Sequence, residues 1–167
     1  LVPVPSVVFH TAARNIISSP KNPRDDFETN IGGTLNVLLA ARDSRPDRVV
    51  YTSSASVYGN PRSIPINEDD PLVMLSPYAV SKLGGENYCN AFYESYGLPV
   101  AVFRYSNVLV EGQRTAIPYC GVVSKVFAAA TAGSLIQTLA VAEKTRDHPT
   151  VDDAVADTTM RPSLPSD

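Results

Sequence analysis

Three short apolar runs, separated by two helix-like segments, constrain the fold of this chain more than any other feature. Residues 6–10, 48–52 and 100–105 are rich in β-branched and aromatic side chains and have the length of buried strands. Residues 25–42 carry apolar residues at helical spacing, and residues 76–96 form the second helical segment. Strand, helix, strand, helix, strand with short connections predicts right-handed βαβ units in a parallel sheet, an α/β fold.

The second helical segment has start and stop signals that fix its ends. Ser76 suits an N-cap and Pro77 the first helical position, while Gly97 follows the last predicted turn. Residues 59–75 before it are rich in Pro and Asp and predict a long surface loop. The pattern after residue 107 is weaker. It predicts a helix over residues 118–132 and a strand over residues 135–141.

Composition excludes several classes of function. With 14 Lys and Arg against 17 Asp and Glu, the net charge of −3 gives no basic footprint for nucleic acid. No apolar run approaches the ~20 residues that span a bilayer, and we expect no membrane partner and no secretory signal. Cys89 and Cys120 predict two reduced thiols in a cytoplasmic protein. The acidic residues near His148 lack a ligand spacing, so we expect no metal site.

Two segments in the middle of the chain carry side chains that can transfer a proton. Ser53 and Ser54 end the second strand, and Tyr78 and Lys82 lie four residues apart on one face of the following helix. A nearby ammonium favours the phenolate, so Lys82 is expected to lower the pKa of Tyr78. The phenol could then take and return the proton of a bound hydroxyl, which Ser54 would hold in line. His10, by contrast, is expected to be a packed strand residue.

These residues resemble the extended short-chain dehydrogenase/reductases, specifically the NAD-dependent nucleotide-sugar epimerases and dehydratases. The motifs are Val8-Phe9-His10-Thr11-Ala12-Ala13, Asn30 in its helix, the strand that ends in Ser54, and Tyr78 with Lys82. The likeness is strong over residues 6–108 and weak over residues 119–155. It implies an incomplete Rossmann-like, doubly wound parallel sheet with part of a small C-terminal substrate lobe. Residues 1–108 would be the partial NAD-binding domain and residues 109–167 the divergent substrate-binding lobe.

The resemblance also assigns site residues. The implied catalytic residues are Ser54, Tyr78 and Lys82. The implied NAD-binding residues are Thr11, Ala12, Ala13, Asn15, Asn30, Ser53, Ser54, Tyr78, Lys82 and Ser106. The implied substrate-binding residues are Ser54, Tyr78, Asn107 and Arg146, and residues 151–153 resemble part of the clamp on the nucleotide sugar.

One local difference from the 4,6-dehydratases indicates which of the family's reactions this chain fits. The 4,6-dehydratases carry Asp-Glu after the catalytic Thr, whereas this chain has Ala55 and Ser56. Elimination of water would lack its carboxylates, so the resemblance favours a 4-epimerase. In that reaction Tyr78 would deprotonate the C4 hydroxyl of a UDP-hexose while hydride passes to NAD+.

Other departures keep alternative functions open. None of the nine glycines forms the Gly-x-x-Gly-x-x-Gly turn that carries the pyrophosphate of NAD. The segment after Asn107 also lacks the usual Tyr-Gly-Pro. A truncated epimerase, a degenerate binding module without NAD, and an NAD(P)-dependent reductase or decarboxylase all fit. The resemblance further implies a homodimer through the Tyr78 and Asn30 helices, to which Tyr88, Ala91, Phe92 and Leu38 could contribute. It also implies an exposed sheet edge over residues 7–9.

Overall fold

A computed structural model describes residues 5–109, 122–134 and 148–159 of the chain. The chain divides into two compact units, Leu1–Tyr105 and Ser106–Asp167. This division falls three residues before the domain boundary expected from the sequence.

The first unit is built on a parallel three-stranded sheet. The strands are β1 (Val7–His10), β2 (Arg48–Ser54) and β3 (Val100–Tyr105), in the order β1-β2-β3. Both pairings are parallel, with Val8 opposite Val49 and Ser53 opposite Arg104. The predicted α/β fold with a parallel sheet is therefore confirmed.

The helical run between β1 and β2 is longer than predicted and changes its winding. It consists of α1 (Pro23–Asp26), a π-helical segment (Phe27–Gly32) and α2 (Gly33–Ser44). The side chain of Asn22 accepts a hydrogen bond from the backbone N–H of Asp25 at 3.2 Å and caps the start. A π-helical turn is a common mark of a functional position, and Asn30 lies within this one.

The helix between β2 and β3 has the ends that the sequence predicts. α3 (Pro77–Tyr96) begins after Ser76, whose hydroxyl accepts from the N–H of Ala79 at 3.1 Å. It ends at Gly97, which takes the left-handed conformation with φ of 63°. Before it lie a 3-10 turn (Ala55–Tyr58) and the predicted long loop over residues 59–75.

The core of this unit lies between the sheet and the helices α2 and α3. Its buried residues are Leu38, Ala41, Val49, Tyr51, Cys89, Phe92 and Leu98. Leu38 and Phe92 therefore pack inside one chain and are not available to the dimer interface considered above. Tyr88 and Ala91 are exposed.

Strand β1 is only partly buried, so the buried strand expected over residues 6–10 is wrong in that respect. Val7 and Phe9 are 38% and 50% exposed, because β1 lies at one edge of the described sheet. The expected exposed edge over residues 7–9 is confirmed. His10 is buried, as predicted, and its Nε2 lies 2.9 Å from the hydroxyl of Thr34.

The second unit contains two described helices, α4 (Val122–Thr131) and α5 (Val151–Thr159). The first agrees with the predicted helix over residues 118–132, while the predicted strand over residues 135–141 lies outside the described residues. Leu109 and Thr150 form a parallel bridge just before α5. Asp152 and Asp153, expected in a substrate clamp, form the first turn of α5, where Asp153 accepts from the N–H of Thr150 at 2.8 Å.

Candidate active site

The carboxyl end of β2 presents Ser54 at the start of the 3-10 turn. Its backbone is extended, with φ of −149° and ψ of 141°, and its hydroxyl accepts from the N–H of Ser56 at 3.2 Å. The carboxyl ends of parallel strands are where open α/β sheets bind their ligands. Ser54 is half-buried there and offers a hydroxyl held by its own turn.

Tyr78 lies in the first turn of α3, next to this serine. Its side chain is half-buried, and burial raises the pKa of its phenol. An interaction with the Ser54 hydroxyl acts in the opposite direction, and the charge of Asp26 raises the pKa further. Ser54 and Tyr78 are therefore neighbours at the carboxyl end of β2.

Lys82 does not act on Tyr78 in the way that the sequence analysis expected. Its ammonium lies 4.7 Å from the ring centroid of Tyr51, a cation–π arrangement. The expected lowering of the pKa of Tyr78 is wrong for this structure, because burial of the phenol dominates and Lys82 makes no resolved contribution.

The ammonium of Lys82 is itself strongly affected by its surroundings. The side chain is buried, with the whole residue only 3% exposed. Burial lowers the pKa of Lys82 to about 8, while the charge of Glu86 leads the effects that raise it. Lys82 can therefore change protonation state near neutral pH, as a group that handles protons should.

Asn30 ties the segment after β1 to the helices. Its side-chain oxygen accepts from the N–H of Arg14 at 2.6 Å, and its amide nitrogen lies 2.9 Å from Asp26 and 3.0 Å from the hydroxyl of Ser81. Ser81 precedes Lys82, so Asn30 connects the carboxyl end of β1 to the part of α3 that carries Lys82.

The other NAD-binding residues implied by the resemblance occupy different positions. Thr11, Ala12 and Ala13 follow β1 and are exposed. The side chain of Asn15 accepts from the N–H groups of Ile17 and Ser18 at 3.0 and 2.9 Å. Asn15 therefore stabilises its own turn.

Ser53 points toward α3, where its hydroxyl donates to Glu86. The side chain is buried, so it is engaged inside the fold. In the second unit Ser106 is half-buried and Asn107 exposed, with the carbonyl of Asn107 3.3 Å from Nδ1 of His148. Arg146 lies outside the described residues.

The sequence analysis missed an ion pair that connects α3 to the end of β3. Arg104 contacts both carboxylate oxygens of Glu86, with Nη2 2.7 Å from Oε2 and Nε 3.0 Å from Oε1. Two signals could have revealed it: Glu86 continues the four-residue spacing of Tyr78 and Lys82, and Arg104 interrupts an apolar strand.

The described residues contain neither a candidate metal site nor a candidate membrane span. In residues 5–109, 122–134 and 148–159, no group of three His, Cys, Asp or Glu side chains could hold a metal ion. Over the same ranges, no helix combines the length and the apolar character needed to cross a bilayer.

Comparison with known proteins identifies the family of this chain. Residues 3–159 match the model of the NAD dependent epimerase/dehydratase family. The chain belongs to this family. The UDP-glucose 4-epimerase of Mycolicibacterium smegmatis is 37% identical over 155 residues, which are 90% of this chain and 49% of that protein.

Solved structures of the epimerase/dehydratase family have the same fold. The UDP-N-acetylglucosamine 4-epimerase of Methanobrevibacter ruminantium, in complex with UDP-N-acetylmuramic acid, superposes with a TM-score of 0.86 at 30% identity, over 92% of this chain and 50% of that one. The UDP-glucose 4-epimerase of Thermotoga maritima with UDP-glucose gives 0.84 at 31% identity, with the same coverage. The chain thus spans about half the length of these relatives.

Proposed function

We propose that this chain carries the proton-transfer site of an NAD-dependent nucleotide-sugar 4-epimerase. The observation that carries the proposal is the proximity of Ser54 and Tyr78 at the carboxyl end of β2, one helical turn from the buried Lys82. The family membership and the similarity to UDP-sugar 4-epimerases support it.

The donor set at this site fits one part of NAD. The ammonium of Lys82 and the hydroxyls of Ser54 and Tyr78 suit a nicotinamide ribose, and the exposed Thr11, Ala12 and Ala13 leave room beside it. NAD, when bound, would supply the acceptor for the hydride that leaves C4 of the sugar. Asn30 would hold the segment after β1 in place, and Ser53 and Asn15 would contribute through the backbone, because their side chains are engaged within the fold.

Each residue of the site would have a separate task. Ser54 would donate a hydrogen bond to the C4 oxygen and fix its orientation. Tyr78 would hold the C4 proton during the reaction and return it. Because burial raises the pKa of Tyr78, the phenol stays protonated before ligands bind, and bound ligands must lower its pKa before it can act as a base.

Substrate recognition is proposed for the residues after β3. Residues 1–108 would form the cofactor side, where Ser106 would contact NAD, and residues 109–167 would form the substrate lobe. Asn107 and Arg146 would bind the nucleotide sugar. Ala55 and Ser56 favour epimerisation over dehydration, because neither can supply a carboxylate for loss of water.

Product analysis tests this proposal. The native polypeptide that contains this chain is incubated with UDP-galactose and NAD+, and the products are separated by chromatography. UDP-glucose is the expected product. A 4-keto-6-deoxy sugar would indicate a dehydratase, steady loss of added NADH would indicate a reductase, and an unchanged substrate with a folded protein would support a non-catalytic module.

A homodimer through the Asn30 and Tyr78 helices is also proposed. An open groove of about 380 Å³ lies between these helices and is lined by Pro23, Asp26, Phe27, Ile31, Pro77, Val80 and Ser81. Phe27 and Val80 are 57% and 52% exposed beside it. Sedimentation analysis of the Val80→Asp variant tests this: a dimer that becomes a monomer supports the interface, and an unchanged mass excludes it.

A further inference from the structure

The turn that carries Ser54 is anchored at both ends to one ion pair. On its amino side the buried hydroxyl of Ser53 donates to Glu86. On its carboxyl side the hydroxyl of Tyr58 lies 2.7 Å from Nη1 of Arg104. Ser54 lies between these two anchors, and its hydroxyl accepts a hydrogen bond from the N–H of Ser56 within the turn.

The ion pair is well placed to act as a rigid support. Glu86 and Arg104 meet through both carboxylate oxygens, and their side chains are 8% and 24% exposed. A bidentate guanidinium–carboxylate contact fixes direction as well as distance. Since Ser53 and Arg104 are partners in the register of β2 and β3, both approach Glu86 from the same face of the sheet.

Arg104 extends this support to the long loop that follows the turn. Its Nη1 lies 3.3 Å from the carbonyl of Glu68, and the hydroxyl of Tyr58 donates to the same carbonyl at 3.3 Å. The guanidinium carbon also lies 5.0 Å from the ring centroid of Tyr58. Both the turn and the loop are therefore fixed to a single side chain of β3.

We propose that the Glu86–Arg104 pair is the positioning unit for Ser54, holding its hydroxyl against Tyr78 through Ser53 and Tyr58. Among the described residues, no hydrogen bond or ion pair joins Glu86 or Arg104 to Tyr78, and in this proposal their effect on the phenol passes through Ser54. Removing either anchor loosens the turn and weakens the contact between Ser54 and Tyr78. The importance of this placement for turnover rests on the proposed function, but the anchoring of the turn does not.

Titration of Tyr78 tests the proposal without an activity assay. The eight tyrosines of the chain are replaced biosynthetically by 3-fluorotyrosine, whose phenol titrates at lower pH, and followed by 19F NMR, with Tyr78→Phe identifying the signal. Ser54→Ala removes the effect that lowers the pKa of Tyr78, so this pKa rises. We expect a rise in the same direction for Glu86→Gln, Ser53→Ala and Tyr58→Phe.

A double variant tests whether the ion pair affects the pKa of Tyr78 through Ser54. If the pair acts through Ser54, then Ser54→Ala with Glu86→Gln shifts the titration no further than Ser54→Ala alone. Tyr93→Phe, which removes an exposed hydroxyl from α3, should leave the titration unchanged. An additive shift in the double variant, or an unchanged titration in folded Ser53→Ala and Tyr58→Phe, overturns the proposal.

Kinetics then separate this proposal from the proposed function. In a catalytically active protein, Ser53→Ala and Tyr58→Phe should lower kcat by about tenfold with little change in KM, because misplacement of a reacting group slows the chemical step. A protein without turnover that still shows the non-additive titration would refute the function and retain the positioning role. Normal kcat in both variants would refute the positioning role alone.

Discussion

The phenol of Tyr51 lies beneath the ammonium of Lys82, and its hydroxyl donates to the carbonyl of that same lysine at 3.2 Å. This double contact joins the central strand to the helix that carries Tyr78. It is possible because residue 85, one turn of helix away, has no side chain: a Cβ there would lie 2.2 Å from the Tyr51 hydroxyl oxygen.

Gly85→Ala is expected to destabilise the protein. Tyr51 is 1% exposed and cannot move away, so the added methyl group forces a shift of strand or helix that costs about 1–3 kcal/mol. Gly33→Ala is the matched control, because a Cβ there meets nothing within 4 Å and alanine favours a helix by about 1 kcal/mol. Urea unfolding measures both, and equal stability of the two variants would contradict the packing described.

Lys82→Met is expected to stabilise the protein at pH 7 by about 1–3 kcal/mol, because it removes a charge that burial disfavours. The pKa of Lys82 falls from 10.5 to about 8 on folding. Between these values the unfolded chain binds more protons, so the free energy of unfolding of the wild type rises with pH.

The difference between wild type and Lys82→Met isolates this rise. Burial raises the pKa of Cys89 to about 12, which gives a slope of the opposite sign in both proteins. The free energy of unfolding of each protein is measured by denaturant unfolding as a function of pH. The wild-type value minus the Lys82→Met value should climb from pH 8 to pH 10.5. A flat difference would show that Lys82 is not buried as described.

His10 is expected to weaken the fold in mild acid. Burial lowers the pKa of His10 from 6.5, and the charge of Lys82 lowers it further. As the pH falls below 6.5 the unfolded chain takes up a proton that the folded chain resists, so stability is lost. His10→Gln keeps a donor for Thr34 and should reduce this loss, as thermal unfolding from pH 7 to pH 5 would show. An identical loss of stability in the variant would show that His10 does not cause it.

Asn30→Asp is expected to destabilise the first unit at neutral pH. Asn30 and Asp26 are both 2% exposed, and the Asn30 amide nitrogen lies 2.9 Å from the carboxylate. A second carboxylate at this place replaces a hydrogen bond by repulsion, at a cost of about 2–4 kcal/mol. Adding Asp26→Asn should restore much of the stability in urea unfolding. If the single variant unfolds like the wild type, Asn30 does not have the contacts described.

Local signals explain what could be predicted from the sequence. The ends of α3 follow from Ser76 and Gly97, which act on their own backbone, and the parallel sheet follows from the alternation of segments. The pairing of Glu86 with Arg104 depends on the register of β2 and β3, which the sequence does not display. The rise in the pKa of Tyr78 depends on burial, which only the folded chain reveals.

The most direct test of the account compares turnover of the Tyr78→Phe variant with that of the wild type. The native polypeptide that contains this chain is assayed with UDP-galactose and saturating NAD+, and NAD+ binding is checked by calorimetry. Loss of the phenolic hydroxyl should lower kcat at least about 100-fold while NAD+ binding and the free energy of unfolding are retained. A variant that turns over at the wild-type rate would contradict the assignment of Tyr78 as the proton carrier.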